Sequence, residues 1–310
     1  MLDNKVKVLY IAGFERSGST ILNRVLGQID GFIATGELAF IWKCDLINNR
    51  KCSCGVLFRE CKFWKEIMEQ SFGNIEQING QKIALLRNKV RAKIILNYFG
   101  LIKQQSLQSY AEEYFFSLEK LYQGIQSITG SKVIIDSSKV SWYGYVLGML
   151  PTIDLYVVHL IRNPHGVCHS LYKRKLNGEL ESQWYNPWHA SLSWNLKNFL
   201  TEMLLNRGSS RYLRISYENF IEDPKEMIKS ILSFIEEKEI QIDHEKQTKI
   251  QMKTDHILGG SPSSRSEIGM VKLHLDERWK QEMNLIDQAH VTSLTWPLLV
   301  KYGYSLTVTK

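Results

Sequence analysis

Gly13-x4-Gly18-Ser19-Thr20 lies between an apolar run, Val6–Ala12, and a helical pattern, Ile21–Gln28. Its spacing is that of a phosphate-binding loop, G-x4-G-K-[ST], with Ser19 where the lysine would stand. The two glycines permit a tight backbone path. The amides of Ser17, Gly18, Ser19 and Thr20 can then converge on one anion at a helix N-terminus. In nucleoside triphosphatases the lysine reaches the β- and γ-phosphates, so a loop without it suits a shorter 5′ group. Arg16, inside the loop, supplies positive charge from another direction.

Other polar groups follow apolar runs in the same way. Asp136-Ser137-Ser138-Lys139 follows Lys132–Asp136, Arg162-Asn163-Pro164-His165 follows Leu155–Ile161, and Ser216-Tyr217-Glu218 follows Tyr212–Ile215. These runs are rich in Val, Ile, Leu and Tyr and barely alternate, which predicts strands buried on both faces of a parallel sheet. Helical patterns at Ile21–Gln28, Lys82–Phe99, Tyr110–Ile128 and His189–Leu205 separate them. Strands alternating with helices predict a doubly wound α/β fold, whose ligands bind at the carboxyl ends of the strands. The candidate residues gather at those ends.

The bulk composition agrees. The chain has 310 residues, 44% hydrophobic and 23% charged, with no internal repeat or low-complexity linker. A net charge of +7 suits a polyanionic partner or plain solubility. No RNA- or DNA-binding motif stands out, so nucleic acid is not expected as a partner. The apolar run at Val6–Ala12 is too short for a signal core or a membrane span, and a cytoplasmic protein is expected.

Phe14-Glu15-Arg16-Ser17-Gly18-Ser19-Thr20 resembles the 5′-phosphosulfate loop of sulfotransferases that use 3′-phosphoadenosine-5′-phosphosulfate (PAPS). Leu160-Ile161-Arg162-Asn163-Pro164-x5-Ser170 is similar to the 3′-phosphate motif of that family. The segment Arg214–Pro224, with Tyr217, resembles its Y-E-D-L-x-x-D-P stretch. His256–Arg265 (HILGGSPSSR) resembles its late Gly-rich loop. The likeness runs over roughly residues 6–305 and is nearest the bacterial and Golgi-type branches.

The resemblance implies a single P-loop-like sulfotransferase domain over 1–310, with a helical acceptor-specificity insertion at about 44–130. It implies PAPS as donor, adenosine 3′,5′-bisphosphate as product, and in-line sulfuryl transfer with no metal required. Arg16 would stabilise the charge that grows on the bridging oxygen. Ser17, Gly18, Ser19 and Thr20 would hold the 5′-phosphate, and Arg162 and Ser170 the 3′-phosphate. Pro164 favours a helix start, which would put Ser170 about two turns in, on the face near Arg162. Tyr217 would lie by the adenine, and Arg265 would close over the 3′-phosphate. Glu37, in Thr35-Gly36-Glu37-Leu38, is the expected general base, with His189 and His169 as rivals. Lys139 either faces donor and acceptor or is a solvent lysine.

The acceptor is a hydroxyl or amine of a sugar, a lipid, a tyrosine or a natural product. Lys82–Lys103 carries six basic residues and no acid, and reads either as a solvated face or as a contact for a membrane surface or lipid-linked acceptor. Trp184, Trp188 and Trp194 either line the acceptor site or belong to the core. Cys44, Cys52, Cys54 and Cys61 form C-x7-C-x-C-x6-C, and Cys168 stands apart. Zinc sites prefer C-x2-C pairs and cytosolic disulfides are unusual, so reduced structural thiols are expected and no metal ligands are assigned. Two other classes compete. A P-loop kinase-like enzyme needs the missing lysine and a Mg²⁺-holding acid, for which Asp136 is the candidate. An inactive nucleotide-binding module would lack a base.

Overall fold

The computed structural model describes residues 5–98, 104–176, 186–206, 211–237, 249–253, 255–261, 265 and 267–306, with side chains except at 95, 97–98 and 104–110. Five parallel strands form the central sheet, in the order β2-β3-β1-β4-β5. They are β1 (Val6–Gly13), β2 (Phe32–Gly36), β3 (Val133–Lys139), β4 (Ile153–Ile161) and β5 (Arg211–Ser216). The four runs read as strands are β1, β3, β4 and β5. The fifth strand, β2, was not anticipated. It is a five-residue edge strand, FIATG, too short to stand out, and its Ala and Gly are residues that strands disfavour.

Side chains of the central strands alternate between two cores. Val6, Val8 and Tyr10 of β1 and Ile153, Leu155 and Val157 of β4 enter one. Leu9 and Ile11, with Tyr156, Val158 and Leu160, enter the other. Both faces are therefore covered, as uniformly apolar parallel strands require. Each large side chain removed from water contributes about 1.5–3 kcal/mol.

On the second face lie α1 (Ser19–Leu26), whose Leu22, Val25 and Leu26 are buried, and two later helices, α8 (Tyr217–Glu222) and α9 (Pro224–Phe234). The first face carries α2 (Lys62–Phe72), α3 (Gly80–Tyr98), α4 (Gln104–Thr129) and α5 (Ser141–Met149). Trp42, Trp64, Tyr114 and Tyr122 from the middle of the chain join the same cluster as Val8 and Tyr10. The middle segment is thus built onto the sheet within one domain. Beyond β4 come α6 (Pro164–Leu176), α7 (Pro187–Leu205), α10 (Trp279–Glu282) and α11 (Leu285–Lys301). A short antiparallel pair, β6 (Lys249–Met252) with β7 (Gly269–Lys272), lies between α9 and α10 in chain order.

The sheet is irregular at the carboxyl end of β3. The β1–β3 register slips between Tyr10 and Ala12, setting Ala12 opposite Lys139. The β2–β3 register slips between Ala34 and Gly36, setting Gly36 opposite Asp136. Such slips bend a strand and re-aim its side chains. Here they turn Lys139 toward the residue that follows Gly36.

Candidate active site

The phosphate loop closes between β1 and α1. Gly13 has φ 131°, and a Cβ there would lie 2.3 Å from the Leu160 carbonyl oxygen on the paired strand β4. Gly18 has φ 86°, and a Cβ would lie 2.5 Å from the Tyr217 ring. Both conformations and both close approaches demand glycine. Gly18 is the N-cap of α1 and offers no side-chain cap, and no acid stands in the first turn. The positive end of this helix is left to an anion. The Ser17 hydroxyl is buried with no hydrogen-bond partner among the described residues. Thr20 does not cap the helix; its Oγ1 accepts from the Ser261 amide at 3.1 Å.

Arg16 adopts a left-handed φ of 64°. Its Nε donates to Ser170 Oγ at 2.9 Å and its Nη1 to Ser261 Oγ at 3.0 Å. Pro164 opens α6, and Ser170 lies two turns in, as its spacing implied. Arg162 is 6% exposed and donates from Nη1 to the Arg16 carbonyl at 2.9 Å. From Nη2 it reaches the Asp276 backbone oxygen at 3.0 Å and the Asp276 carboxylate at 3.3 Å. Its guanidinium lies 4.6 Å from the Tyr217 ring centroid. Tyr217 therefore bridges Gly18 and Arg162, and burial pushes its phenol pKa up, so that it stays neutral. Hydrogen bonds from Arg278 hold Asp276 well below the usual carboxylate range, with the Arg162 charge adding to this.

Glu37 stands at the end of β2, not directly after the first helix. Its Oε1 accepts from Lys139 Nζ at 2.6 Å, and Lys139 also donates to the Ser137 carbonyl at 3.0 Å. Lys139 carries φ 64°. Among the described residues only four non-glycines have positive φ, and two of them, Arg16 and Lys139, face this site. Backbone strain of about 1–3 kcal/mol per residue persists where the surroundings enforce it. A strap over 256–261 covers the pair. The Glu37 amide donates to the Leu258 carbonyl at 2.8 Å, and the Leu258 amide to the Thr35 carbonyl at 2.9 Å. A Cβ on Gly259 would lie 2.6 Å from Glu37 Oε2, so the strap backbone is in direct contact with the carboxylate.

These residues enclose a cavity of about 400 Å³, lined by Arg16, Gly18, Ser19, Thr20, Glu37, Lys139, Arg162, Tyr217, Gly260 and Ser261. A larger cavity, about 590 Å³, lies beyond Asp276 and is lined by none of these phosphate-loop residues. Glu15, Arg174, His274 and Asp276 also line the smaller cavity and were not foreseen. Arg174 had a signal: it lies four residues after Ser170 on α6, one turn further along the same face. His274 and Asp276 arrive from the chain after β7 and had none.

The structure does not bring Arg265 to the cavity. Its Nη1 points to the Lys51 carbonyl at 3.4 Å. His169 pairs with Glu282 at 3.1 Å, and His189 bonds Asn186 at the start of α7; neither lines the cavity. Trp194 is fully buried and donates to the Arg162 carbonyl at 3.2 Å, so it is core. Trp188 is exposed beside His290, and Trp184 lies outside the described residues.

Asp136 does not serve a kinase-like reading. It is wholly buried, with Oδ1 accepting from the Ser138 amide and hydroxyl and Oδ2 from the Tyr122 hydroxyl. Burial raises its pKa to about 6. Both oxygens are used to build the strand end that carries Lys139. Asp136 is also absent from the residues lining the cavity.

A loop shaped for a phosphate ester, lacking the Walker lysine and facing a carboxylate held by an ammonium, marks an α/β group transferase, not a nucleoside triphosphatase. The comparisons agree. The sulfotransferase family model matches residues 9–240, and the chain belongs to that family. No curated protein matches significantly. The fold is similar to a sulfotransferase domain from the curacin biosynthetic pathway, with 16% identity, TM-score 0.52 and coverage of 97% of this chain and 99% of that one. It is also similar to the sulfotransferase domain of the Synechococcus PCC 7002 olefin synthase, with 18% identity, TM-score 0.53 and coverage of 98% and 97%. Among the described residues no helix is long and apolar enough to cross a membrane.

Proposed function

We propose that the protein transfers a sulfuryl group from PAPS to an acceptor hydroxyl or amine, in line and without a covalent enzyme intermediate, in the cytoplasm. The observation that carries this reading is the shared cavity: Glu37 and Lys139 stand 2.6 Å apart in the space lined by the phosphate loop and Arg162. In the proposed step Glu37 takes the acceptor proton as the acceptor atom bonds to sulfur. The bond from sulfur to the bridging oxygen breaks, and adenosine 3′,5′-bisphosphate leaves. Arg16 and Lys139 meet the charge that grows on the leaving oxygen, and the loop amides of Ser17–Thr20 hold the 5′-phosphate. Arg162 and Ser170 take the 3′-phosphate, and Tyr217 flanks the nucleotide. Arg174, which lines the same cavity, joins this anion-binding set. The transfer requires no metal, because these cations and amides supply the electrostatics.

Residues 44–130 shape the acceptor side in this reading. Arg87 of α3 donates to the Ala39 carbonyl at 2.9 Å, two residues past Glu37, which ties the segment to the base. The reading covers any acceptor hydroxyl or amine that reaches Glu37, whether borne by a sugar, a tyrosine, a lipid or a small natural product. Lys82, Leu85, Lys89 and Arg91 are exposed on α3, which suits a lipid-linked or membrane-surface acceptor.

The test is a thermal-shift titration with adenosine 3′,5′-bisphosphate against AMP and Mg-ATP. At 100 times its Kd the bisphosphate should add about 2.7 kcal/mol, a rise of several degrees, with little from AMP. A shift from Mg-ATP alone would overturn the donor assignment. The Asp276 carboxylate sits on Arg162 where the 3′-phosphate is placed. Asp276→Asn should therefore tighten bisphosphate binding about three- to tenfold, measured by calorimetry. Weaker binding would show that Asp276 supports the site instead of competing for it.

A further inference from the structure

We propose that Cys52, Cys54, Cys61 and His256 bind one structural zinc ion that fastens the 256–261 strap to the middle of the chain. One ligand atom from each of the four lies within 4.8 Å of the others. His256 Nδ1 is 3.3 Å from Cys61 Sγ and 3.8 Å from Cys52 Sγ, and Cys54 Sγ is 3.7 Å from Cys61 Sγ. A tetrahedral zinc with bonds of about 2.3 Å to sulfur and about 2.0 Å to nitrogen separates its ligands by roughly 3.5–3.8 Å. The Cys52–His256 and Cys54–Cys61 separations fall in that range, the Cys61–His256 separation is slightly shorter, and the remaining pairs lie within 4.8 Å.

The donor set is the Cys₃His combination of closed structural sites, with no position left for a reacting water. Two neighbouring rings fix the histidine. Phe63 stacks on it at 4.7 Å and 10°, and Trp64 Nε1 donates to the His256 carbonyl at 2.6 Å. A tight turn explains how a C-x-C pair substitutes for C-x2-C. The Gly55 amide donates to the Cys52 carbonyl at 3.0 Å, the Cys52 amide to the Val56 carbonyl at 2.9 Å, and Gly55 has φ 94°. A Cys54–Cys61 disulfide would leave Cys52 and His256 converging for no purpose. On binding, each coordinating thiol gives its proton to solvent and the neutral imidazole contributes a lone pair, so no oxidant or reductant is involved.

The site has a structural consequence. His256 begins the strap whose Leu258 backbone pairs with Thr35 and Glu37, and whose Ser261 meets Thr20 and Arg16. The ion would join that strap to the turn at Cys52–Cys54 and to the start of α2 at Cys61. Ser53 strengthens the same junction by donating to the Asp255 carboxylate at 2.6 Å, which Arg24 also holds at 2.6 Å. None of this depends on the identity of the donor.

The experiment is elemental analysis of the full chain, produced in zinc-supplemented medium and purified under reducing conditions. One zinc per chain is expected, falling to almost none in Cys61→Ser and in His256→Ala and staying at one in Cys168→Ser. Should the variants fail to fold, the wild type still decides. Titration of its thiols with an organomercurial should release zinc to a metallochromic dye. Cobalt exchanged into the site should show the intense visible bands of a tetrahedral thiolate complex. Metal-free wild type, a different metal in the site, a Cys54–Cys61 disulfide under these conditions, or zinc retained by both ligand variants would overturn the proposal.

Discussion

Glu37→Gln is expected to cut turnover by about 10²-fold or more while leaving adenosine 3′,5′-bisphosphate affinity unchanged. Glutamine keeps the shape of the side chain and can still accept from Lys139 Nζ, now 2.6 Å away. It cannot take the acceptor proton. The size of the rate loss separates this role from a positional one. If Glu37 only positions Lys139, the glutamine hydrogen bond preserves the position, and the variant keeps its rate. Stability should fall by about 1–3 kcal/mol, because the pair is mostly buried and the variant leaves the Lys139 ammonium with a neutral acceptor. Near-normal turnover would remove the assignment.

The parts of this site that could be read from the chain are those that local backbone rules write into it. Gly13 and Gly18 are irreplaceable because one faces the Leu160 carbonyl and the other the Tyr217 ring, so their spacing survives as a motif. Strands β1, β3 and β4 are legible because burial on both faces leaves their runs apolar, while the edge strand β5, with Arg211 and Arg214 exposed, is legible only through Tyr212, Leu213 and Ile215. Pro164 marks the start of α6 because its missing amide costs nothing there. Strand β2 was hidden by its brevity, and with it the reason Glu37 sits at a strand end. Asp276 and His274 reach the cavity through long-range packing, which no spacing encodes. His256 is about 200 residues from the cysteines it joins, so the C-x-C pair alone looked too poor for a metal site. Arg265 belongs to the segment that resembles the family's late Gly-rich loop, and in this structure its guanidinium turns to the Lys51 carbonyl.

Arg162→Ala should raise the Kd for adenosine 3′,5′-bisphosphate about 10²-fold, equivalent to about 2.7 kcal/mol, and change AMP binding little. Arg162 is 6% exposed and stacks on Tyr217, so its guanidinium is held in place before any ligand arrives. A pre-organised guanidinium meeting a phosphate forms charge-assisted hydrogen bonds worth about 1.5–3 kcal/mol each. That sum is partly offset, because the wild-type ligand must first displace the Asp276 carboxylate 3.3 Å away. The rival account is that Arg162 is a brace, since it also holds the Arg16 carbonyl at 2.9 Å and so shapes the phosphate loop. A brace predicts that AMP and the bisphosphate weaken together, because both use the loop. A 3′-phosphate receptor predicts that only the bisphosphate weakens. Arg162→Lys sharpens the contrast: it keeps the charge but loses the planar fork, and should fall between wild type and alanine for the bisphosphate alone. Equal losses for the two nucleotides would move Arg162 from the ligand to the scaffold. The recognition of the 3′-phosphate would then rest on Arg174, which lines the same cavity one turn beyond Ser170.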